Sequence, residues 1–157
     1  MDESKKTVRL EEMLPAIKAK IEQGGEVVIP VTGVSMKPTL KAGRDYAVLK
    51  KAPEKLKRND IPFYRRADGS FVLHRIVGEN ENGYILQGDN QNVKEYSVKH
   101  SQVIAILTAV ERDGVRIPAE SLKLSLLGVF RKEIYLIRKT KVKIQKRLGK
   151  SANGKKD

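Results

Sequence analysis

The chain has 157 residues, enough for one domain and a tail, and 32 Lys and Arg against 19 Asp and Glu give it a formal net charge of +13. Apolar residues make up 39%, with no Trp and few aromatics, so the core is modest and aliphatic. There is no Cys, which excludes disulfides, thiolate nucleophiles and Cys-based zinc sites.

Val8 to Gln23 reads as a helix, with Leu10, Met13 or Leu14, Ile17 and Ile21 at helical spacing, Thr7 as cap and Gly24-Gly25 as stop. Pro15 lies within it and predicts a kink or a later start. From Glu26 the pattern changes to short strands: Glu26 to Val31, Asp45 to Lys50, Ile61 to Arg66 and Ser70 to Val77. Ala67-Asp68-Gly69 between the last two is a hairpin signal. Tyr84 to Gln87, Ser101 to Glu111 and Val115 to Ile117 follow, separated by Gly- and Asn-rich turns. Many short strands with such turns predict an antiparallel β-barrel or sandwich.

After Pro118 the pattern is helical again. Phe130, Ile134, Ile137, Ile144 and Leu148 share a face, and Arg131, Lys132, Arg138, Lys139, Lys146 and Arg147 occupy the remainder. Residues 121–157 hold 12 basic and 2 acidic residues, so most of the positive charge belongs to this tail. The expected organisation is an N-terminal helix over 1–25, a β-rich domain over 26–118, a basic amphipathic helical tail over 119–150 and disorder over 151–157. The helix over 130–148 suits an anionic membrane surface; it equally suits packing on the domain with a solvated basic face. Nucleic acid is the weaker partner, because no aromatics are interleaved for base stacking.

No apolar run approaches bilayer length, and the charged start Met1-Asp2-Glu3-Ser4 has no apolar signal core behind it. The expected location is therefore cytoplasmic or peripheral to a membrane.

Three motifs carry chemistry. Gly33-Val34-Ser35-Met36-Lys37-Pro38 follows the first strand. As punctuation it is a turn; as chemistry it offers a serine nucleophile, which needs a base. Phe71-Val72-Leu73-His74-Arg75-Ile76 supplies an imidazole, matched to general-base work near neutral pH. His100 lies in a polar stretch and reads as a surface residue. Gly88-Asp89-Asn90 supplies a carboxylate on a turn, and Glu95 a second one six residues later. Either could orient the imidazole as the third member of a triad. Lys37 and Lys94 are poorer bases, since a catalytic Lys needs burial and both lie in polar surroundings.

Ser-Met-x-Pro, then His-Arg-Ile-Val-Gly, then Gly-Asp-Asn, in that order, resembles the type I signal peptidase superfamily. The likeness is to its branch with a His base, found in the endoplasmic reticulum and archaea, and covers about Glu26 to Thr108. Asn59-Asp60-Ile61 matches the Gly-Asp-Ile strand start of that superfamily, with Asn for Gly. The resemblance implies a mainly β, barrel-like catalytic domain of the signal peptidase and LexA type, with no cofactor. It makes Ser35 the nucleophile, His74 the base and Asp89 or Glu95 the acid, where the His branch has a second Asp at the Glu95 position. Met36 and Pro38 would shape the loop and the substrate groove. Gly33 stands where some members have a Ser hydroxyl in the oxyanion hole, which leaves the backbone N–H of Ser35 as chief donor.

The implied activity is endoproteolysis of a leader or signal-like peptide bound in extended form. Three alternatives remain: an inactive peptide-binding scaffold at a membrane, a LexA-like self-cleaving regulator, and a basic nucleic-acid-binding protein. The LexA-like repressors use a Lys base where this chain has His74, and there is no room for a helix-turn-helix domain before Glu26.

Overall fold

The computed structural model describes residues 3–121, and side chains from Leu10 onward. Helix α1, Glu3–Glu22, turns Ile17 and Ile21 into the core and leaves Met13 exposed, so Leu14 and not Met13 belongs to the inward stripe. The helix starts earlier than expected, which puts Thr7 inside it rather than at its cap. Pro15 is accommodated within it on the exposed side. Gly24, at φ +79°, ends it: the N–H of Gly24 bonds the Ile21 carbonyl at 3.0 Å and that of Gly25 the Lys20 carbonyl at 2.9 Å. This paired closure satisfies two carbonyls that the helix end leaves open.

Nine strands follow among the described residues, as the mainly β expectation requires: β1 Val27–Pro30, β2 Asp45–Lys50, β3 Pro62–Arg65, β4 Phe71–Leu73, β5 Arg75–Asn80, β6 Gly83–Gln87, β7 Lys94–Val98, β8 Val103–Arg112 and β9 Val115–Pro118. They form a curled antiparallel half-barrel from two sheets. The larger sheet runs β1-β2-β8-β3-β4, with β9 also on β8; the smaller is β5-β6-β7.

Two expectations are corrected here. Ser70 to Val77 is not one strand: β4 pairs with β3, β5 pairs with β6, and His74 lies at the break between the sheets. The stretch before β8 is a short 3-10 turn over His100–Gln102, so β8 begins at Val103 and not Ser101. β7, which carries Glu95, was not anticipated, because Lys94-Glu95-Tyr96-Ser97 lacks an apolar alternation.

Because successive strand residues face opposite sides, β3 serves two cores. Phe63 packs with Ile17, Ile21, Leu49 and Leu107 in the larger one, while Tyr64 packs with Leu56, Ile76 and Leu86 in the smaller. The larger core also takes Met36 and Leu40 from the loop after β1. No helix among the described residues is long and apolar enough to cross a membrane. The expected tail helix over 130–148 and the disorder over 151–157 lie outside the described residues.

Candidate active site

The loop that carries Ser35 is held from below and from one side. From below, the buried side chains of Met36 and Leu40 anchor it in the core, and the Leu40 N–H bonds the Met36 carbonyl at 2.9 Å. Met36 therefore secures the loop and does not line an open groove, whereas Pro38 is half-buried. From the side, the Asn90 N–H donates to the Ser35 carbonyl at 2.7 Å and the Asn90 amide to the Val34 carbonyl at 3.2 Å. Ser35 itself is half-buried and next to the exposed Val34. Among the described residues its N–H has no acceptor, so it remains available to an incoming oxyanion.

Gly33 sits at φ +75°, and a Cβ there would meet nothing within 4 Å. The glycine is thus required by backbone conformation and not by crowding; an L side chain in that region costs roughly 1–2 kcal/mol.

His74 is almost completely buried at the junction of the two sheets. Its Nδ1 lies 2.8 Å from Glu95 Oε1 on β7 and 3.4 Å from the Tyr64 hydroxyl on β3. Gly88 shows what lies on the other side of the ring. A Cβ built on it would be 3.1 Å from His74 Nε2 and 2.7 Å from the Ser35 carbonyl oxygen. Gln91 Oε1 would be 2.8 Å from the same Cβ, so the Ser35 carbonyl, Gln91 and His74 Nε2 all close on Gly88, where only a residue without a side chain fits.

Charges around the ring determine its tautomer. Burial would raise the Glu95 carboxyl, but the Arg66 guanidinium and the Tyr64 hydroxyl outweigh it and hold Glu95 below the usual carboxylate range. Arg66 grips Glu95 with Nε to Oε2 at 2.8 Å and a terminal nitrogen to Oε1 at 2.5 Å. An ionised Glu95 accepts only, so His74 Nδ1 carries the hydrogen and Nε2 presents its lone pair. Burial pushes the His74 imidazole below its ordinary value despite the attraction of Glu95. The ring is therefore neutral at neutral pH, as a general base must be.

Of the two acids offered by the sequence, Glu95 meets the imidazole. Asp89 is committed elsewhere. Its carboxylate takes Arg75 Nε at 2.9 Å and a terminal Arg75 nitrogen at 2.8 Å, and it accepts from the Thr39 hydroxyl. Arg75 also reaches the Asn59 carbonyl at 3.0 Å. This buried network joins the Ser35 loop, the Gly88-Asp89-Asn90 turn and the start of β5. Lys94 is exposed on β7 and Lys37 half-buried. His100 is exposed and within 3.2 Å of the Tyr84 hydroxyl. Among the described residues no group of three His, Cys, Asp or Glu could hold a metal ion.

Sequence reading did not single out Arg66, Tyr64 or Arg75. Tyr64 lies on β3 and Arg66 directly follows that strand, two residues on, and both side chains reach Glu95. That spacing was a usable signal only once β7 was known to lie opposite.

The sequence profile of the Peptidase S24-like family matches residues 2–110 of the chain. No curated protein and no solved structure matches it.

Proposed function

The chain belongs to the Peptidase S24-like family, within the LexA and signal peptidase I-like superfamily, and from that premise we propose a serine endopeptidase with Ser35 as nucleophile, His74 as general base and Glu95 as orienting acid. One observation carries the assignment: Glu95 holds Nδ1 of a buried imidazole whose Nε2 lies beside Gly88, as the Ser35 carbonyl oxygen does.

In this reading the Ser35 hydroxyl attacks the scissile carbonyl carbon and gives its proton to His74 Nε2. Glu95 stabilises the imidazolium, and the Ser35 N–H meets the oxyanion. Collapse expels the amine, which takes the proton from His74 and leaves an acyl-Ser35. Water then attacks the ester and loses its proton to His74; collapse breaks the acyl–oxygen bond, releases the acid product and returns the proton from His74 to the Ser35 oxygen. The substrate lies extended along the edge of β4 that faces away from β3, on the strand leading into His74. Asp89 contributes by holding the loop, through Thr39, and takes no proton.

The substrate is a leader or signal-like peptide, and the basic segment 130–148 brings the enzyme to an anionic membrane surface. Its sequence, apolar on one face and basic on the other, supports that attachment.

A fluorophosphonate probe tests the nucleophile. The wild-type chain becomes labelled on Ser35, and Ser35→Ala and His74→Ala do not, with Ser35→Ala unfolding at the wild-type temperature and His74→Ala assayed while still folded, below its own melting range. Equal labelling of wild type and Ser35→Ala would end the proposal; no labelling of either would favour a peptide-binding scaffold. The family match favours a second reading, self-cleavage as in LexA-like repressors. First-order loss of intact mass, independent of protein concentration and absent in Ser35→Ala, would identify it.

A further inference from the structure

Glu95 occupies a position where a shorter acid would have less freedom. A glutamate has one more rotatable bond than an aspartate, and its side chain here is 23% exposed. Left alone on β7, it could turn towards water and leave His74 without a partner. Two side chains prevent this, Tyr64 on β3 and Arg66 just after it. The Arg66 guanidinium lies against both Glu95 oxygens at 2.8 and 2.5 Å, a planar two-point contact. Such a fork fixes the direction of the carboxylate as well as its charge. Tyr64, fully buried, also bonds Glu95.

The Arg66 backbone is itself immobilised. Its N–H bonds the Ser70 carbonyl at 2.9 Å, and its carbonyl takes the Gly69 N–H at 3.0 Å. These bonds belong to the β3–β4 hairpin, and β4 runs directly into His74. One hairpin therefore sets both the imidazole and the clamp on its carboxylate, although the carboxylate comes from the other sheet.

We infer that Arg66 is the positioning residue of this centre: its guanidinium fork holds Glu95 in the one orientation that meets His74 Nδ1. Arg66 makes no hydrogen bond to the imidazole and acts on its orientation through Glu95, while its charge also helps to hold His74 below its ordinary value. The inference rests on the proposed roles of Ser35, His74 and Glu95, and extends them to a residue in the adjoining hairpin.

Two readouts on the full chain test it, one of which is independent of activity. The first is the His74 Nδ1–H proton by NMR. It should be slow to exchange in the wild type, be lost in both Arg66→Gln and Glu95→Gln, and be only partly protected in Arg66→Lys, which keeps the charge but not the fork. The second is the rate of fluorophosphonate labelling of Ser35. Arg66→Gln should slow it by about a hundredfold, the lower end of what a positioned base contributes. In the Glu95→Gln background the same change should alter the rate less than about twofold, because residues acting through one contact are not additive. A purely structural Arg66 would instead give additive losses.

A His74 Nδ1–H signal as well protected in Arg66→Gln as in wild type would overturn the inference, whatever the labelling shows. Absent labelling of the wild type would overturn the peptidase reading alone, with the proton signal still reporting on Arg66. If Arg66→Gln fails to fold, Arg66→Lys decides: additive slowing with Glu95→Gln refutes the inference, and non-additive slowing supports it.

Discussion

Replacing Asp89 with alanine should cost far more than a surface ion pair would. Arg75 and Asp89 are 2% and 3% exposed, so the guanidinium left behind has almost no water to turn to. Its other acceptor among the described residues is the Asn59 carbonyl. The buried Thr39 hydroxyl loses its acceptor as well. Breaking a buried pair by removing one partner costs about 3–5 kcal/mol, against about 0–1 kcal/mol for an exposed pair. A domain of this size holds roughly 5–15 kcal/mol in total, so Asp89→Ala should lower the melting temperature by about 10–20 °C. Urea unfolding of wild type and Asp89→Ala, with equal m-values, measures the difference directly. Replacing both partners, Arg75→Met with Asp89→Leu, should recover part of the loss, since no unpaired charge then remains. Below its own melting range Asp89→Asn keeps the Glu95–His74 contact, so Ser35 labelling should fall far less than in Glu95→Gln. A loss under about 1 kcal/mol for Asp89→Ala would refute the reasoning, by showing that Arg75 finds water or another acceptor.

A methyl on Gly88 would come within 2.7 Å of the Ser35 carbonyl and 3.1 Å of His74 Nε2. Gly88→Ala should therefore separate the two and slow Ser35 labelling at least about tenfold, with about 1–3 kcal/mol lost in urea unfolding; wild-type labelling would contradict this. The labelling rate should rise with pH through a midpoint below the ordinary imidazole value of 6.5 and then level off, because burial holds His74 neutral. A midpoint above 6.5 would contradict the burial argument. The same shift makes the unfolded chain bind a proton first, so the His74 contribution to stability falls as pH drops below 6.5. Burial would raise Asp45, but Arg44, Arg112 and the Lys41 N–H outweigh it and hold Asp45 well below its ordinary 3.8. Its contribution is present above that value and lost as pH falls, so Asp45→Asn should flatten the acid limb of stability. Sedimentation with vesicles should show binding to anionic but not zwitterionic lipid, weakened by salt and lost on deleting 130–148. Equal binding to both lipids would count against the membrane role.

Much of this protein is local and was therefore legible without coordinates. Short apolar strands between Gly- and Asn-rich turns define a mainly antiparallel β domain, and Ile17 and Ile21 mark the buried side of α1. The order of the Ser35, His74 and Asp89 motifs marks the site, because each is a contiguous run whose residue types need no distant partner to be recognised. The partners themselves were not legible. Which acid meets His74 depends on where β7 lies relative to β3, and a one-residue change of register would send Glu95 to the other face. Residues 70–77 read as one continuous strand, yet the chain changes sheets at His74, because β4 finds its partner in β3 and β5 in β6. Only the folded chain decided that Asp89 is spent on Arg75 and that Arg66, 29 residues before Glu95 in sequence, aims it. Hydrogen bonds and charge pairs between distant strands leave no periodicity in the sequence, whereas the burial that drives the strands does.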